Sequence, residues 1–181
     1  MTKKILHLAG GGAKFIPPFI KTVNDNFGND EHEFIITSKM TSIDKADYKN
    51  VWLPPRKSLY FLTIFKMHKA DKIILHSLCN PRVILILFFF PWLLKKCYWI
   101  IWGADLYLYK CSKRGLKWHV KEFFRRFVIK NIGHLVTYVE GDVQLARKWY
   151  GAKGLLHECF MYTSNLYKHF EIPTKKNSTI N

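Results

Sequence analysis

The sequence predicts an α/β fold built on a doubly wound parallel sheet with helices on both faces. Three observations predict it. Short apolar, β-rich runs alternate along the chain with longer helical segments. Those runs are nearly continuous in apolar residues, as strands buried on both faces require. A glycine turn, Gly10-Gly11-Gly12, ends the first run and leads into a helix. The 181 residues suffice for one domain with its own core.

Lys4 to Ala9 is the first strand. Phe15 to Phe27 then forms a helix, with Phe15, Phe19, Val23 and Phe27 spaced four apart on one face. Pro17 and Pro18 fall in its first turn, where a missing N–H is tolerated. Glu33 to Thr37 and Val51 to Leu53 are the second and third strands, and Leu59 to His68 is a helix. Asp71 to His76 is the fourth strand. Asn80-Pro81 opens a helix reaching Lys96, and Tyr98 to Trp102 is the fifth strand. Lys113 to Asn131 is a long helix. His134 to Val139, Asp142 to Tyr150 and Leu155 to Met161 complete the series as strand, helix and strand. From Tyr162 the chain turns polar. The domain is expected to span residues 1–165, with 166–181 as a linker.

In doubly wound sheets ligands sit beyond the carboxyl ends of the strands. The loops there are Gly10 to Phe15, His76 to Pro81, Gly103 to Ser112 and Glu140 to Asp142. The first holds glycines and Lys14 ahead of a helix. That suits close approach to a phosphate or sugar, and equally suits a plain tight turn. It is neither a GxGxxG fingerprint nor a P-loop. His76 can bond a sugar or act as a base, or be a satisfied core histidine. His7, inside the first strand, reads as a core residue. Glu140 ends the sixth strand, although Gly141-Asp142 also reads as a helix cap.

The densest signal is Trp99 to Tyr109, WIIWGADLYLY. An apolar run stops at Gly103, and Asp105 lies among Trp99, Trp102, Tyr107 and Tyr109. Such residues suit a site that stacks a flat or sugar-like group and orients its hydroxyls. They also suit a buried strand entering a turn with Asp105 as its cap.

Lys and Arg number 29 against 13 Asp and Glu, a net charge of +16, so an anionic partner is expected. No helix-turn-helix, zinc or RNA-binding signature points to nucleic acid. Along Lys113 to Lys130, Leu116, Val120, Phe123, Phe124, Phe127 and Val128 form an apolar stripe. Lys113, Lys117, Lys121, Arg125 and Arg126 fill much of the remaining surface. With Lys95 and Lys96, they are expected to face an anionic membrane surface, unless the stripe packs into the core. Val83 to Leu94 is too short to span a bilayer, and Pro91 interrupts it. The four cysteines show no metal spacing and are expected to be reduced thiols.

The block from Trp99 to Tyr107 resembles the IWGADLY signature of the 4-alpha-L-fucosyltransferase family. Lys14-Phe15-Ile16, His76-Ser77-Leu78-Cys79-Asn80-Pro81 and the acid at Glu140 agree, and the similarity covers most of residues 1–165. The resemblance implies a GT-B glycosyltransferase with two Rossmann-like domains and no essential metal or other cofactor. It would move an N-acetylated deoxyamino sugar from a dTDP-sugar to a polyprenyl-pyrophosphate-linked saccharide, at the cytoplasmic face of the bacterial inner membrane. This chain would supply the first, acceptor-side domain, and the nucleotide-sugar domain would follow the linker. Asp105 would be the acceptor-side carboxylate, with His76 and Glu140 as further candidates. Gly10, Gly11, Gly12 and Lys14 would lie near the diphosphate. Asn80, Trp102, Gly103 and Tyr107 would line the substrate pocket.

Overall fold

A computed structural model describes residues 3–10, 14–27, 30–37, 49–53, 55, 58–110 and 115–162. Among them, seven strands form one sheet: β1 (Ile5–Ala9), β2 (His32–Ile36), β3 (Val51–Trp52), β4 (Lys72–His76), β5 (Cys97–Ile100), β6 (His134–Thr137) and β7 (Leu155–Glu158). Their order is β3-β2-β1-β4-β5-β6-β7, with every neighbouring pair parallel. The helices are α1 (Ile16–Phe27), α2 (Leu59–Lys69), α3 (Pro81–Phe89), α4 (Gly103–Leu106), α5 (Leu116–Asn131) and α6 (Glu140–Tyr150). The expected Rossmann-like α/β fold is present, and it is consistent with one half of a GT-B enzyme.

Alternation within the strands divides the core in two. Leu6, Leu8, Ile73, Leu75, Trp99 and Leu135 point one way and pack with α2, α3, α5 and α6. Ala9, Phe34, Ile36, Ile100 and Val136 point the other way and pack with α1. The chain winds outward from β1 in one direction and from β4 in the other. The boundary between β1 and β4 is therefore the topological switch point, where the loops after the two strands diverge.

Several elements differ from expectation for local reasons. The helix expected to reach Lys96 ends at Phe89. Pro91 disfavours α geometry at Phe90, which takes φ −120° and ψ 64°, and a 3₁₀ helix continues from Pro91 to Lys96. α1 buries Ile16, Phe19, Ile20 and Val23, so its inward face is rotated from the Phe15-Phe19-Val23-Phe27 line and Phe27 faces solvent. Glu140 does not end β6: it opens α6 and is exposed. Asn80 caps α3 by accepting the Arg82 N–H at 3.0 Å, with Pro81 in the first turn.

Candidate functional site

Two adjoining cavities occupy the carboxyl edge of the sheet. The first, of about 410 Å³, is walled by the chain after β5 (Trp102, Gly103, Ala104), β6 (Thr137, Tyr138, Val139) and β7 (Phe160, Met161, Tyr162), with Phe15 closing one side. The second, of about 420 Å³, lies at the switch point between Gly10, Ser77, Cys79, Asn80 and Pro81. Trp102 and Ala104 line both. Four residues expected from sequence therefore meet there: Gly10, Asn80, Trp102 and Gly103. Gly11 and Gly12 lie outside the described residues. Lys14 is exposed beside Phe15, its ammonium 5.8 Å from that ring. Tyr107 lines neither cavity and packs against Trp149, ring centroids 5.6 Å apart.

Asp105 holds these walls in place. It is fully buried, and its carboxylate accepts three N–H groups: Leu78 at 2.7 Å, the Trp99 indole at 2.8 Å and the Trp102 backbone at 2.9 Å. The Trp102 bond is the reciprocal half of a capping box at the start of α4. The Leu78 bond ties the loop after β4 to the loop after β5. The Asp105 carbonyl accepts from Arg125 at 2.8 Å, and the Leu106 carbonyl accepts from the Tyr150 hydroxyl at 3.0 Å. Burial pushes the Asp105 carboxyl up to about 6, against the lowering pull of its donors and of Arg125. In this conformation the side chain organises the loop and does not face a cavity.

The loop after β4 bends sharply. Ser77 has φ +84°, the left-handed region where a non-glycine residue is strained. Its N–H returns to the Leu75 carbonyl, and Asn80 donates to the Thr37 hydroxyl at 2.7 Å. The bend turns Ser77 and Cys79 toward the second cavity and leaves His76 in the core behind it. His76 is 2% exposed, and burial pushes its imidazole down to about 3. Its Nδ1 meets the Tyr162 hydroxyl at 2.7 Å. Tyr162 lines the first cavity, which the sequence did not disclose, because the polar composition after it reads as linker. The aromatic pair Phe160 and Tyr162 just past the last strand was the only available hint.

The basic cluster does not act as one surface. Arg125 is buried, forks onto Glu122 at 2.9 and 3.1 Å and bonds Tyr150. Arg125 is thus not a membrane-facing residue: with Glu122 it forms a buried pair that braces the loop carrying Asp105. Lys96 bonds the carbonyls of His68 and Ala70, so its charge is engaged at the end of α2. Arg126 pairs with Glu122 at 3.4 Å and lies over Tyr109. Lys95, Lys117 and Lys121 are exposed. Lys113 lies outside the described residues.

The topology defines a Rossmann-like α/β domain, with two cavities at the carboxyl edge, where such sheets bind ligands. A family model described as 4-alpha-L-fucosyltransferase, glycosyl transferase group 56, matches residues 15–179, and the chain belongs to that family of glycosyltransferases. No curated protein and no solved structure matches it.

Proposed function

We infer that this chain is the acceptor-side domain of a GT-B glycosyltransferase. The enzyme moves an N-acetylated 4,6-dideoxyhexose from a dTDP-sugar to a polyprenyl-pyrophosphate-linked saccharide in bacterial surface-glycan synthesis. The observation that carries this reading is the cavity pair at the carboxyl edge, divided by Trp102. An aromatic partition between two such cavities suits a sugar ring that stacks on one face and hydrogen-bonds at its rim. Gly10, Asn80 and Ser77 supply backbone and amide groups on one side, and Tyr162 and Thr137 line the other. Asp105 serves as a positioning residue that fixes Trp102 and the loop after β4.

Tryptophan fluorescence of the full chain tests it, with a polyprenyl-pyrophosphate-linked disaccharide in detergent micelles as the probe and empty micelles as the blank. The expected result is a saturable change that weakens at least tenfold in Trp102→Ala. No saturable response to the lipid-linked disaccharide overturns the acceptor-side assignment.

A second observation favours docking on an anionic membrane, which places the domain beside a lipid-linked acceptor. Helix α5 buries Glu122, Arg125, Val128 and Ile129, and turns Leu116, Val120, Phe123 and Phe127 outward. Phe123 and Phe127 pack around Phe88 of α3, next to exposed Phe89. Lys117 and Lys121 supply cationic side chains on α5, and Lys95 supplies one on the 3₁₀ helix that follows α3. Exposed aromatics among lysines suit an interface of headgroups and acyl chains. No helix among the described residues is long and apolar enough to cross a membrane. Sedimentation with phosphatidylglycerol vesicles is expected to capture the chain, to weaken at high salt, and to fall several-fold in Val120→Ser/Phe123→Ser. Equal binding to phosphatidylcholine, or no effect of the double substitution, counts against this surface.

A further inference from the structure

On the α1 side of the sheet, three imidazoles and a phenol form one continuous hydrogen-bonded line. His32 Nδ1 lies 2.9 Å from His7 Nε2. His7 Nδ1 lies 3.1 Å from His76 Nε2, and His76 Nδ1 lies 2.7 Å from the Tyr162 hydroxyl. The Trp102 indole donates to that same hydroxyl oxygen at 3.1 Å. The line crosses three strands diagonally. His32 opens β2 opposite Ile5, His7 is central in β1, and His76 ends β4 opposite Ala9. It therefore joins the half-exposed start of β2 to the wall of the first cavity. Phe34 stacks on His7 at 4.4 Å, and Phe19 sets its edge against His7, His76 and Tyr162. These rings keep water from the middle of the line.

The bonding pattern leaves two arrangements of protons. If the Tyr162 hydroxyl donates to His76, then His76, His7 and His32 all carry their proton on Nε2. If Tyr162 accepts from His76, all three carry it on Nδ1. A mixed set would break one link. Passing one proton along the line converts the first arrangement into the second, with every ring neutral before and after.

We propose that this line is a proton wire that takes the proton of a sugar hydroxyl bound at Tyr162 in the cavity and releases it to solvent at His32. The proposal rests on the glycosyl-transfer reading of the same cavity. As the acceptor oxygen forms its bond to the anomeric carbon, the bond from that carbon to the diphosphate oxygen breaks, and the nucleoside diphosphate leaves with the electron pair. The acceptor proton moves to the Tyr162 oxygen, whose own proton moves to His76 Nδ1. His76 passes its Nε2 proton to His7 Nδ1, His7 passes its Nε2 proton to His32 Nδ1, and His32 gives its Nε2 proton to water. One proton leaves the acceptor and one reaches solvent. Burial and the neighbouring imidazoles hold His7 well below its ordinary value, and burial lowers His32 and His76. Neutral rings are the state that this exchange needs. Among the described residues, the lining of the first cavity contains no carboxylate or imidazole, and the Tyr162 hydroxyl links it to an imidazole, that of His76.

The test needs no substrate. In the full chain labelled with ¹³C at tyrosine Cζ, in equal parts H2O and D2O, a slowly exchanging hydroxyl gives two lines and a fast one gives a single line. Tyr162 is expected to give a single line in the native chain and two lines in His32→Phe, with exchange slowed at least tenfold. An unchanged single line in His32→Phe overturns the wire. The ¹⁵N spectrum of the unsubstituted chain is a second, independent check. All three rings in one shared tautomer support the wire, and a mixed set overturns it. A chain that conducts but never binds the lipid-linked disaccharide overturns the sugar assignment, not the conduction.

Discussion

Asp105 shows how one motif residue can brace three segments of the site at once. Its carboxylate satisfies three buried donors, so removing it leaves those donors unpaired, each an expense of about 1–3 kcal/mol before relaxation. Asp105→Ala is expected to destabilise the fold by roughly 3–5 kcal/mol, read as a lower denaturant midpoint with unchanged slope. A residue that only touched substrate would leave the midpoint nearly where it was. Its titration gives a second test. The folded carboxyl, at about 6, holds its proton more tightly than the unfolded one. Its contribution is therefore most favourable at low pH and is lost as pH rises through about 6. Asp105→Asn removes that slope, so the variant's loss of stability, followed by urea unfolding, is expected to be larger at pH 4 than at pH 7.

At the scale of elements, one close approach and one helix cap, both at glycines, determine how the strands are joined. Gly133 precedes β6, and a Cβ there would lie 2.5 Å from the Lys95 carbonyl oxygen. Its N–H donates to Leu94 at 2.9 Å. Gly133→Ala must push the end of the 3₁₀ helix away from β6, at about 2 kcal/mol or more, which thermal unfolding would show as a lower Tm. Gly151 ends α6 at φ +68°, where a glycine C-cap needs no strain. Helix α5 offers the opposite case. Its apolar stripe was visible in sequence, but the inward face is the one that carries Glu122 and Arg125. Composition could not reveal this, because a buried ion pair needs further hydrogen bonds to satisfy it, and those come from Tyr150 of α6 and the Asp105 carbonyl of α4. Phe123→Ser is accordingly expected to change Tm by only a few degrees, since that ring is 64% exposed.

For the whole molecule, the buried histidines dominate the response to acid. His76 stays neutral in the fold down to about 3, and His7 is likewise held well below its ordinary value. In the unfolded chain both bind protons near 6.5. Their contribution is present above that value and is lost as pH falls, at about 1.4 kcal/mol per pH unit for each fully buried ring. Asp105 works in the opposite sense over part of the window, with about one proton against about two. Stability is therefore expected to fall below pH 6, and urea unfolding at pH 5 should be accompanied by net proton uptake. His76→Phe should reduce that uptake by about one proton. An unchanged uptake would mean that His76 is already charged in the fold.

The sequence by itself determined the element order, the parallel sheet and the loops after β1, β4 and β5 that border the site. Each of these follows from local periodicity, and in a doubly wound sheet connection order fixes which ends of the strands meet. The family signature was also legible, because Trp102, Gly103 and Asp105 are contiguous along the chain. Only the tertiary structure decided that Asp105 is a brace, that Arg125 is internal and that α5 turns its aromatics outward. The histidine line depended on it most of all. His7, His32, His76 and Tyr162 are far apart along the chain; strand register aligns the three histidines, and the segment after β7 brings Tyr162 to them. Hydrogen bonding acts over about 3 Å, so no pattern read along the chain could have joined them.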